Sequence, residues 1–75
     1  MMPYMSIQPN YYRATFRPSS DMSDIRTVST DDGYSIIVGK CSDGSLRTQS
    51  VLFPKEKYNI AQATIHAHFL ERIWK

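Results

Sequence analysis

The sequence predicts an α+β domain: a three-stranded antiparallel sheet with one long C-terminal helix packed on one face. The expected order is strand, short helix, β-hairpin, helix. Three observations carry this reading. Residues 11–17, Y-Y-R-A-T-F-R, alternate with a period of two. Two apolar runs, 34–41 and 46–53, flank the turn sequence Ser42-Asp43-Gly44-Ser45. From Asn59 onward the apolar spacing changes to three and four, the period of a helix.

Residues 1–10 have no periodicity and contain Pro3, Pro9 and Asn10, so they read as an N-terminal arm ahead of a single domain over 11–75. In the first strand Tyr12, Ala14 and Phe16 point one way, and Tyr11, Arg13, Thr15 and Arg17 the other. Pro18 ends it. Ser19 or Ser20 then caps a short helix in which Met22 and Ile25 stand at i and i+3 and Asp21 and Asp24 favour the positive end of the dipole. That helix is expected to end near Thr27. Ser29 to Gly33 reads as a turn, with Gly33 supplying a positive φ.

The run 34–41, Y-S-I-I-V-G-K-C, is the most apolar strand, and 46–53, L-R-T-Q-S-V-L-F, returns antiparallel to it until Pro54. Asn59 with Gln62 forms an N-x-x-Q capping box, which opens a helix running to about Ile73. Ile60, Ala63, Ala67, Leu70 and Trp74 make one apolar stripe, and the small alanines let a sheet approach closely. Ile65, Phe69 and Ile73 make a second stripe roughly 140° around the axis, counting about 100° per residue. A helix on a small sheet needs only one. Either the short helix or the 4–11 segment covers the second stripe, or it is a partner or homodimer surface with His66 on its border.

Composition bounds the chemistry. At 75 residues there is one small core and a thin stability margin. A net charge of +2 is too weak to imply non-specific nucleic-acid binding by itself. Cys41 is the single cysteine, which excludes an internal disulfide and multi-cysteine zinc sites. His66 and His68 are two apart on the helix and point in opposed directions, so they do not chelate one metal. No serine lies in a nucleophile elbow and the glycines are dispersed, so neither an enzyme nor a cofactor is implied. No run is long enough to span a membrane. Arg13, Arg17, Arg47, Lys55 and Lys57, with Tyr11 and Tyr58, form the alternative candidate surface, one for nucleic acid.

The segments F-R-P-S-S-D-M-S-D-I-R-T, I-V-G-K and Q-S-V-L-F-P-K, followed by an alanine-containing helix, resemble a small domain of tailed-bacteriophage proteins. That domain belongs with proteins encoded near the phage head and prohead-protease genes. Its closing pattern is Q-x-x-x-F-x-K, a Trp, a spacer and A-x-x-W. Gln49, Phe53 and Lys55 match, Ala63 stands at the helix alanine, and Tyr58 and His66 stand where the two tryptophans fall. The resemblance covers about residues 16–70. It implies a viral or prophage origin; the expected role is that of a small non-enzymatic protein that binds another protein in the host cytoplasm. The expected partner is the viral head or maturation machinery, or a host defence complex that the chain inhibits stoichiometrically.

Overall fold

The computed structural model describes residues 4–73, with the side chains of residues 72 and 73 left aside. Five strands and one long helix follow in the order β1 (Tyr4–Ile7), β2 (Tyr11–Thr15), β3 (Met22–Ser29), β4 (Ser35–Cys41), β5 (Leu46–Pro54) and α1 (Ile60–Ile73). The sheet order is β1-β2-β5-β4-β3, and every neighbouring pair is antiparallel. The general class is α+β, as expected, but the sheet has five strands rather than three.

Both additional strands have local causes. In β1, Met5 and Ile7 alternate with Tyr4 and Ser6, and Met5 stands opposite Ala14. The Pro9-Asn10 turn closes the hairpin, with Gln8 N donating to Tyr11 O at 2.9 Å. The segment expected as an arm therefore includes the edge strand that pairs with β2.

The short helix expected from a cap at Ser19 or Ser20 to about Thr27 is reduced to a single 3-10 turn, Ser19–Asp21, and β3 takes its place. The i, i+3 spacing of Met22 and Ile25 is the signature of a β-bulge. Ser23 pairs with Lys40 and Arg26 with Val38, so two residues of β3 face Gly39 alone, and Asp24 takes a φ of 51°. The extra residue brings Met22 and Ile25 to one side of the strand. A Cβ on Gly39 would lie 3.1 Å from Met22 Cβ and 3.3 Å from Ile25 Cγ1, so a glycine is what lets both settle there. Pairing wins over helix because β4, the most apolar strand, would otherwise be an open edge.

The β4–β5 hairpin turns at Asp43-Gly44, with Gly44 at φ 88° and Asp43 Oδ1 accepting from Ser45 N at 2.9 Å. A second bulge lies in β5: Ile37 pairs with Ser50 and Val38 with Thr48, which leaves Gln49 as the extra residue. Register puts Ala14 opposite Val51, Tyr12 opposite Phe53 and Ile36 opposite Val51, so these side chains share one face. The helix lies on that face. Ala63, Ala67 and Leu70 complete the buried cluster with Ala14, Tyr34, Val51 and Phe53. The first apolar stripe is thus core over these positions, although Ile60 is partly exposed and Trp74 lies outside the described residues.

Candidate functional site

The N-terminus of α1 is set by the predicted capping box. Asn59 Oδ1 accepts from Gln62 N at 2.8 Å, and Gln62 Oε1 accepts from Asn59 N at 2.9 Å. Just before it, Pro54 O accepts from both Lys57 N and Tyr58 N, a tight turn that aims Tyr58 back over the sheet. Tyr58 Oη then donates to Asp32 O at 2.9 Å and ties this turn to the β3–β4 connection. Gly33 has φ 94°, and Lys57 lies against it so closely that a Cβ there would meet Lys57 Cδ at 2.8 Å.

Four rings meet beneath α1. Tyr34 lies 5.1 Å from His66 and 5.6 Å from Phe53, and Phe53 lies 5.2 Å from Tyr58, edge to face. His66 also approaches Phe53 and Tyr58 at 5.8 and 5.9 Å. The imidazole therefore stands among three aromatic rings, a more enclosed place than the border position expected of it. Burial, with the Asp32 charge and Tyr58 nearby, raises the Tyr34 phenol above its ordinary value of 10.0. A raised phenol contributes stability that is fully present below pH 10.0 and is lost as pH rises further. Alkaline titration followed by circular dichroism is expected to show this loss above that pH, and Tyr34→Phe to remove its Tyr34-dependent part.

The outer side of this cluster opens into a groove of about 460 Å³ lined by Tyr58, Gln62, Ile65, His66 and Phe69. Ile65 is 71% exposed and Phe69 59% exposed, so neither the 3-10 turn nor the Tyr4–Ile7 strand covers these two residues of the second stripe. Ile65, His66 and Phe69, all candidates from the sequence, come together here; the side chain of the fourth, Ile73, lies outside the described residues. Two walls of the groove, Tyr58 and Gln62, are not among the residues expected at the partner surface; the sequence places Tyr58 with the alternative cations and Gln62 in the capping box. An aromatic residue immediately before a helix cap is a sequence signal that marks Tyr58 for the groove, since that position commonly packs back onto the first turns.

The five cations of the alternative surface do not form one patch. Arg13 and Arg17 lie at the β2–β5 boundary, and Arg47 binds Ser45 Oγ at the hairpin. Lys55 lies over the Tyr12 ring at 5.3 Å, while Lys57 rests on the Gly33 turn. Hydrogen bonds from Ser45, with Arg47 nearby, hold the Asp43 carboxyl below its ordinary range. Cys41 and His68 are half-buried. Among the described residues no helix is long and apolar enough to cross a membrane.

Compared with known proteins, the chain matches no family model, no curated protein and no solved structure.

Proposed function

We propose that the chain is a non-enzymatic protein-binding module that works through the groove beside α1. The observation that supports this reading is the pair Ile65 and Phe69, large apolar side chains left in solvent next to an aromatic wall. Two such residues flanking a concave apolar surface are the arrangement expected of a contact patch. The chain holds it at low entropic cost, because Tyr58, Tyr34 and Phe53 already fix His66 beneath it.

The choice of partner rests on the likeness to phage head-region domains. On that basis the partner is a head or prohead-maturation protein of the virus, or a host defence complex held inactive by one-to-one binding. A second copy of the chain is the remaining occupant. A nucleic-acid surface built from all five cations has less support, since those residues are dispersed over the sheet face, the hairpin, the Tyr12 ring and the Gly33 turn.

Ile65→Glu and Phe69→Glu test the reading. Both positions are exposed, so the variants are expected to keep the wild-type circular dichroism and melting temperature. Binding of the partner, identified by capture from infected cells and then titrated as a purified protein, is expected to weaken about 30-fold or more, the effect of a 2 kcal/mol contact residue. Sedimentation of wild type against Phe69→Glu identifies self-association. Unfolding of both variants would mean that the stripe is core, and unchanged capture would move the contact elsewhere.

A further inference from the structure

The helix covers one face of the sheet; the opposite face has a different chemistry. On β2 it presents Tyr11, Arg13 and Thr15, and register places Tyr4 and Ser50 beside Thr15 and Leu52 beside Arg13. At the centre of this face is the β5 bulge at Gln49. Arg13 Nη2 donates to Gln49 Oε1 at 2.9 Å, and Arg17 Nε donates to Thr48 O at 3.0 Å. Gln49 Nε2 in turn donates to Arg17 O at 2.9 Å, and Phe16 N to Gln49 O at 2.8 Å. Two guanidinium groups are thereby drawn to the same bulge by neutral acceptors.

Among the described residues no carboxylate forms an ion pair with Arg13 or Arg17, and the remaining N–H donors of both have no protein acceptor. Strands β1, β2, β4 and β5 contain no Asp or Glu at all. The seven acidic residues lie in the 3-10 turn, β3, the turns, the loop before α1 and α1 itself. A planar guanidinium with free donors matches a phosphate, and one held in place loses less entropy on binding it. Beside the pair are Tyr4, 71% exposed, and the partly exposed Tyr11.

We propose that this helix-free face binds single-stranded nucleic acid, with Arg13 and Arg17 on the phosphates and Tyr4 and Tyr11 under the bases. Fixed cations interleaved with exposed rings on an open sheet are what an unstacked strand requires. An acidic peptide would satisfy the arginines but leave the rings without a role. A duplex presents its bases already stacked and offers nothing to either tyrosine. This surface is separate from the groove beside α1 and rests on different residues.

Fluorescence anisotropy with labelled single-stranded DNA and RNA tests the proposal on the full chain. Binding is expected at low salt, with log K falling against log salt at a slope of about −1.4, two phosphates at roughly 0.7 each. Tyr4→Ala is expected to weaken it at least about five-fold, the effect of losing one stacked base. Arg17→Gln is expected to reduce the slope by about half. Arg47→Ala and Lys55→Ala are expected to leave affinity unchanged, since Arg47 is engaged beside Asp43 and Lys55 lies over Tyr12 on the helix face. Phe69→Glu, expected to weaken the groove contact, should retain nucleic-acid binding. Because Tyr4 is exposed, its variant keeps the fold, and circular dichroism confirms that control. No binding at low salt overturns the proposal. So does equal affinity for poly-glutamate of the same length, or a loss caused by Lys55→Ala and not by Tyr4→Ala.

Discussion

Phe53→Ala is expected to unfold most of the protein at physiological temperature. Phe53 is fully buried, touches the rings of Tyr34, Tyr58 and His66, and is the largest fully buried side chain among the described residues. Truncating a buried phenylalanine costs about 3–5 kcal/mol, from lost transfer energy and the cavity left behind. At roughly 0.05–0.15 kcal/mol per residue, a chain of this size holds only about 4–11 kcal/mol in total. The expected fall in melting temperature is at least about 12 °C, read by thermal circular dichroism. Because Phe53 supports Tyr58 and His66, the groove should lose its walls before the sheet melts. A shift of only a few degrees would show that the aromatic cluster is not what holds the helix to the sheet.

Gln49→Ala is expected to be the most damaging polar substitution, at about 2–4 kcal/mol. The residue is 4% exposed, and its amide makes three contacts: from Arg13 Nη2, from Ser50 Oγ at 2.6 Å, and to Arg17 O. Ser50 is fully buried, so its hydroxyl loses its partner in a place water does not reach. Gln49→Glu keeps the acceptor for Arg13 and Ser50 but sets a carboxylate oxygen against Arg17 O in place of the amide donor, so with Arg13 balancing the charge it should fall between wild type and Gln49→Ala. Urea denaturation orders the three. Equal stability of all three would mean that the bulge is held by its backbone alone. Gln49→Ala also frees the Arg13 guanidinium, while Arg17 Nε keeps Thr48 O, which ties the stability of the bulge to the posture of Arg13 on the helix-free face.

What was legible from residues alone was local or periodic. The Asp43-Gly44 hairpin needs only an αL position, and the Asn59–Gln62 box needs only three residues of spacing. The second stripe of α1 followed from angular counting, which placed Ile65, His66 and Phe69 in the candidate surface. Residues 4–7 were obscured by Pro3 and Pro9, although Tyr4 to Ile7 alternate as a strand should. The Met22/Ile25 spacing does not separate a helix from a bulged strand, because both leave the same mark. Only Gly39, across the ladder, separates the two.

The sequence by itself determined the α+β class, the β4–β5 hairpin, the capped helix and its surplus of apolar surface. Each depends on contacts a few residues apart or on a repeating angle. Tertiary structure alone decided that the sheet has five strands, that Ile65 and Phe69 stay exposed among the described residues, and that Arg13 and Arg17 meet at one bulge. These depend on which strand lies beside which, and pairing is settled by the joint burial of Val51, Phe53 and the α1 alanines. No single segment carries that information, because the energy that decides it exists only once the segments meet.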